Sequence, residues 1–176
     1  MNPPTDPTAA LFLDFSTRKL RVLESRIETC LEKLNADQVW VRESDSANAI
    51  GNLVLHLCGN VRQWIVSGVG RRPDVRQRDA EFAARGGVPV PELIARLRET
   101  VDEALAVLSR VTPERLTERL TVQSNEVSVI EAIYTVVEHF SMHAGQIFFA
   151  TKAFTGSDLG FYRHLTAAAA QGSKTP

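Results

Sequence analysis

Val137-Glu138-His139-Phe140-Ser141-Met142-His143-Ala144-Gly145-Gln146 places two imidazoles four residues apart in a strongly helical stretch. At that spacing both rings lie on one helix face, about 5–6 Å apart at Cβ. Around them Ile130, Ile133, Val137, Phe140, Ile147 and Phe148 carry the helical pattern over residues 127–154, with Ser124 or Asn125 opening it. The apolar positions fall on more than one side, which predicts the most buried helix of the chain. Val136, His139, His143, Gln146 and Ala150 share a stripe, so two imidazoles stand where core leucines are expected. Burying them without partners would cost several kcal/mol, roughly 2–7 for each unpaired polar group. Two readings follow: a divalent ion serves both rings, or both are core histidines hydrogen-bonded to Asn or Glu neighbours.

Three further helices read outward from this one. Phe12, Leu20, Leu23, Ile27, Leu31 and Leu34 recur at three- and four-residue steps and predict a long amphipathic helix over residues 8–36. Ile50, Leu53, Val54, Leu57, Val61, Trp64 and Ile65 predict a second, closing near Ser67, with Gly68 and Gly70 as its stop. Pro91 suits the first turn of a third, which Leu93, Leu97, Val101, Leu105 and Leu108 carry to about Arg110. Arg119 to Gln123 alternates weakly, too short a run to claim as a sheet. Four helices of this length predict an all-α four-helix bundle. The long connection after the second helix, with a short helical patch near residues 78–84, permits a crossover topology.

Asn52, His56, Asn60 and Gln63 form a polar stripe on the second helix. It lines either a wet or metal-bearing cavity or the solvent face. If His56 faces His139 and His143, three neutral imidazoles give Zn²⁺, Ni²⁺ or Fe²⁺ an incomplete shell, open to water or substrate. Phe140 stands where a zinc-protease helix carries its glutamate base, which excludes that class. Gln146, one turn beyond His143, is placed to orient a ring nitrogen. Cys58 lies on another face from His56 and makes a poor ligand, and His164 reads as a surface or packing residue. Arg71, Arg72, Arg76, Arg78 and Arg85 crowd the long connection. A solvated loop with local ion pairs is the simpler reading; an anion-binding rim is the other.

Composition narrows the classes. The 176 residues, 44% hydrophobic and 23% charged, predict one globular domain over residues 8–165 with flexible ends at 1–7 and 166–176. The core is large enough to need no structural metal, so any metal is expected to be functional. A formal charge of −1 gives no attraction to nucleic acid. There is no signal-like start and no long apolar run, and Cys30 and Cys58 are the only cysteines. The expectation is a cytoplasmic protein in a reducing compartment, away from membranes.

Residues 52–60, Arg78-Asp79-Ala80-Glu81-Phe82, residues 154–165 and above all His139-x-x-x-His143-Ala144-Gly145-Gln146-Ile147 resemble the DinB-like superfamily, in a branch usually labelled uncharacterised. The resemblance spans residues 10–165. It implies a crossover four-helix bundle, commonly a homodimer, with a metal on one histidine of the second helix and two of the fourth. Those map onto His56, His139 and His143. Gln146, Asn52, Asn60 and Arg78 are the candidate supporting or substrate-binding residues, and no catalytic residue is assigned. Characterised relatives include transferases and isomerases that use a low-molecular-weight thiol (mycothiol, bacillithiol or glutathione). The resemblance therefore implies a metal-dependent S-transferase or isomerase acting on a small molecule. A hydrolase using metal-bound hydroxide and a non-enzymatic dimeric metal-binding or stress-response protein are the alternatives.

Overall fold

A computed structural model describes residues 7–163. His164 and the two expected flexible ends, apart from Pro7, lie outside the described residues.

The first helix, α1 (Pro7–Leu31), buries Leu20, Leu23, Ile27 and Leu31 along one face. It stops short of the expected end because Asn35 caps a separate short helix, α2 (Ala36–Trp40). Asn35 Oδ1 accepts from the Gln38 amide at 2.9 Å, and Gln38 Oε1 accepts from the Asn35 amide at 3.0 Å. Such reciprocal bonds satisfy amides that the first turn leaves unpaired.

The second long helix, α3 (Ile50–Val61), runs on without a break as a π-helical stretch, Arg62–Val69, which ends at Gly70. Gly68 therefore does not stop it. A Cβ at Gly68 would lie 2.7 Å from Val122 Cγ2, so the glycine admits close contact with the chain that follows. The long connection then forms α4 (Arg78–Ala83), packed on α3, and α5 (Val90–Leu108) begins with Pro91 in its first turn.

A 3₁₀ turn (Pro113–Thr117) leads into a hairpin of β1 (Arg119–Val122) and β2 (Asn125–Ser128), paired with Val122 opposite Asn125 and Arg119 opposite Ser128. The short run that alternation left unclaimed is thus a real strand. Its two-residue turn, Gln123-Ser124, has φ of 51° and 64°, the left-handed pair that such hairpins require. Neither residue is the usual Asn or Gly, so the turn carried no signal. Asn125 and Val127 belong to β2, and α6 (Val129–Thr155) begins later than expected, with Ser128 and Glu131 capping it reciprocally. Gly156, at φ 62°, closes it.

In the bundle α1 and α3 each pack against both α5 and α6, which leaves α1 opposite α3 and α5 opposite α6 on the diagonals. The crossings are made by residues 32–49 and 109–128. The long connection at 70–89, expected to provide the crossover, instead joins the neighbours α3 and α5. Leu20, Ile27, Leu57, Ile65, Leu97, Ile133, Phe140 and Ile147 fill the core with no exposed surface.

Candidate metal centre

The interface of α3 with α6 brings His56 opposite the α6 pair. His56 Nε2 lies 3.1 Å from His139 Nε2, and His143 Nε2 lies 3.2 Å from the same atom. His56 is buried; His139 and His143 are half-buried. These three form the one group of His, Cys, Asp or Glu among the described residues whose ligand atoms come together, all within 4.8 Å. Nitrogens bound to one tetrahedral Zn²⁺ at about 2.0–2.1 Å stand about 3.3 Å apart. The two separations at His139 Nε2 fit that spacing.

The outer ring nitrogens show which atoms are free to bind. His143 Nδ1 is 2.7 Å from Gln146 Oε1, so its hydrogen goes there and its Nε2 keeps a lone pair. His56 Nδ1 is 3.0 Å from Glu81 Oε2 and leaves its Nε2 likewise free. Two lone pairs thus converge on His139 Nε2, which can offer at most one proton between them. A divalent ion would satisfy all three at once, so the residues present fit a bound metal. His139 Nδ1 is buried without a hydrogen-bond partner, so packing along α6 and its two imidazole neighbours hold that ring.

Charge behaves consistently with this. Burial, then the neighbouring His143 and His56, then Arg76, lower the His139 pKa from 6.5 to about 4. Burial also lowers His143, against a smaller opposing effect of Gln146. Both rings are therefore held neutral, the form a metal needs. A folded-state pKa below the unfolded value means that the unfolded chain takes up protons first on acidification. The contribution of His139 to the stability of chelator-treated protein should accordingly be complete above about pH 6.5 and be lost progressively toward pH 4. Thermal melts across that range check this, and a His139→Leu variant should show a flatter profile. An equally steep profile in the variant would remove His139 from the account.

The supporting residues divide. Gln146 bonds His143. Asn52 has no exposure and does not face a substrate. Its Nδ2 donates to the Glu81 and Ala84 carbonyls at 2.8 and 2.9 Å, and its Oδ1 accepts from the Ala49 amide and Arg42. It pins α4 to α3. Asn60 is buried, with Oδ1 unpartnered, and no hydrogen bond joins it to the imidazoles. The burial of Asn52, His56 and Asn60 excludes the solvent-face reading of their stripe. Arg78 is exposed, with its guanidinium 4.9 Å from the Phe82 ring centroid, and Phe82 packs 4.7 Å from the His56 ring. Cys58, facing Thr100, is pushed up to about 11 by burial and stays a thiol away from the cluster.

Two residues central to the site carried no such role in the sequence reading. Glu81, on α4, holds His56, and Arg76 holds Glu81 through Nε at 2.7 Å and Nη2 at 2.8 Å. Burial pushes the Glu81 carboxyl up, but its bonds to Arg76 and His56 outweigh this and keep it below the usual value. Three of the connection's arginines are engaged within the protein, while Arg72 and Arg78 stay exposed. Arg76 is buried on Glu81, Arg71 pairs with Glu118, and Arg85 caps the carbonyls of Phe82, Ala83 and Ala84.

A family model described as "Protein of unknown function (DUF1572)" matches residues 7–169. The chain belongs to the DUF1572 family. Solved structures place this DUF1572 member in the DinB-like fold. It is similar to a conserved protein from Enterococcus faecalis, with 14% identity and a TM-score of 0.70 over 82% of this chain and 97% of that one. A DinB-like protein from Bacillus subtilis matches at 15% identity and 0.65, covering 84% and 96%. Another from Bacillus cereus matches at 14% and 0.61, covering 74% and 85%. Comparison with curated proteins found no match. Among the described residues no helix is long and apolar enough to cross a membrane.

Proposed function

We propose that this protein is a metal-dependent enzyme that binds a low-molecular-weight thiol at the three-histidine centre, for transfer to a small electrophile or for isomerisation. The observation that carries the reading is the convergence of three imidazole Nε2 atoms with no carboxylate among them. A divalent ion held by His56, His139 and His143 alone would keep its full charge and would favour an anionic ligand by lowering the pKa of a bound thiol.

The chain's own groups support transfer over hydrolysis. Glu81, the carboxylate bonded to the cluster, lies behind His56 with both oxygens held by Arg76 and one also by His56. It is not placed as a general base for an attacking water. Arg78, stacked on Phe82 beside His56, has no carboxylate partner among the described residues and is the cation we assign to a carboxylate on the thiol. In transfer, the thiol proton passes to solvent, sulfur forms a bond to the electrophilic carbon, and the leaving group departs with the bonding electrons.

The test is a panel of thiols, glutathione included, and activated alkyl and aryl electrophiles, with protein loaded in turn with Zn²⁺, Ni²⁺ and Fe²⁺. Loss of free thiol should exceed that of a His56→Ala variant and fall when Arg78→Ala is used with carboxylate-bearing thiols. Thiol loss no faster than the His56→Ala background would defeat the proposal. Metal-dependent turnover indifferent to thiol would replace it with hydrolysis.

A further inference from the structure

We propose that Glu81 and Arg76, with Gly59 beneath them, form a clamp that selects the metal-binding tautomer of His56, so that metal affinity is governed by residues outside the ligand set. The inference rests on the reading of His56, His139 and His143 as ligands.

His56 Nδ1 has two neighbours at the same distance, Glu81 Oε2 at 3.0 Å and Arg76 Nη2 at 3.0 Å. They make opposite demands. The carboxylate accepts, and so calls for a hydrogen on Nδ1, which leaves Nε2 a free lone pair. The guanidinium only donates, and calls for a bare Nδ1, which puts the hydrogen on Nε2 and blocks the metal. Arg76 is committed more to the carboxylate than to the ring, with a single Nη2 hydrogen left to compete for Nδ1. Its Nε and Nη2 donate to Glu81, and its Nη1 donates to Gln63 Oε1 at 2.8 Å. Arg76 is thereby neutralised and oriented by the carboxylate that it positions. Gln63 is fixed in turn by Asp74, 2.6 Å from its Nε2.

Gly59 supplies the space. It lies one turn along α3 from His56, and a Cβ there would overlap Glu81 Oε1 and stand 2.9 Å from Arg76 Nε. The overlap is with the carboxylate itself, in a pair whose side chains are 4% and 10% exposed and have little room to move. Asn52 secures the other end by holding the Glu81 and Ala84 carbonyls, so the clamp is anchored by backbone as well as side chain.

Glu81 and Arg76 are positioning residues: they act on the metal through His56. Partners of this kind typically change metal affinity by about 10–100-fold when removed. Zn²⁺ affinity by competition with a chromophoric chelator, and the His56 ¹⁵N shifts of metal-free protein, test the clamp directly. Wild type should show the Nδ1–H form. Glu81→Ala, which leaves Arg76 alone at Nδ1, should move the ring to the Nε2–H form and weaken Zn²⁺ by about 10–100-fold. Glu81→Gln, which keeps an acceptor oxygen, should recover part of that loss. Gly59→Ala should reproduce Glu81→Ala, and the two together should be no worse than either, because both act through one carboxylate. Adding Arg76→Met to Glu81→Ala should remove the donor that holds Nδ1 bare and recover part of the lost affinity.

Circular dichroism of each metal-free variant establishes that the bundle is folded. A Glu81→Ala protein that keeps both the Nδ1–H form and wild-type affinity would overturn the clamp, as would strictly additive losses for Gly59→Ala and Glu81→Ala. Wild type that binds no Zn²⁺ would instead remove the metal reading on which the clamp rests, whatever its tautomer.

Discussion

A His139→Ala variant is expected to lose Zn²⁺ affinity by about 100-fold or more, beyond the 10–100-fold typical of residues that only support ligands. The expectation follows from where His139 Nε2 stands: 3.1 Å from His56 and 3.2 Å from His143, at the centre of the set. The fold should survive, because the side chain is only half-buried and its Nδ1 makes no hydrogen bond. Removing an imidazole from this crowded group relieves a concentration of opposed lone pairs, so metal-free His139→Ala should melt no lower than metal-free wild type. Calorimetric titration beside chelator-treated melts measures both quantities. Equal affinity in variant and wild type would take His139 out of the site.

Replacing Phe140 by alanine should have the opposite profile, costing about 3–5 kcal/mol of stability, as large buried aromatic truncations do. Phe140 is the largest of the fully buried side chains and sits on the core face of α6, next to the ligand stripe. A small domain has only about 5–15 kcal/mol in total. Urea unfolding in chelator should therefore show a midpoint greatly reduced, with Phe140→Leu intermediate. A change within about 0.5 kcal/mol, the size typical of surface positions, would contradict the packing described for α6. The contrast between adjacent residues, one affecting metal and the other stability, separates the site from its scaffold.

How far the chain could be read in advance depended on the range of the interaction. The helical repeat of Leu20, Leu23, Ile27 and Leu31, and the four-residue spacing of His139 and His143, are local, and both stand in the structure as read. His56 was legible as a polar interruption of an apolar helix. Glu81 was not legible in its role, because that role exists only once α4 folds back over α3 and sets residue 81 against residue 56. The physical clue was present: a buried imidazole needs an acceptor for its outer nitrogen, and Arg76 and Glu81 are a complementary pair five residues apart. Gly59 gave no clue at all, since the atom it avoids belongs to that same distant carboxylate. The hairpin was missed for a different reason. Gln123 and Ser124 adopt left-handed φ without the residue types that usually announce it. The crossings on the diagonals depend on which helices pack together, a property of all four apolar faces and not of any connection's length.

The most direct test of the metal centre is a crystal of Zn²⁺-loaded protein measured at wavelengths on either side of the zinc absorption edge. The predicted result is one anomalous peak in each chain, about 2.0–2.1 Å from the Nε2 atoms of His56, His139 and His143. No peak at that point, with the three imidazoles still hydrogen-bonded to one another in protein shown to be saturated with zinc, would contradict it.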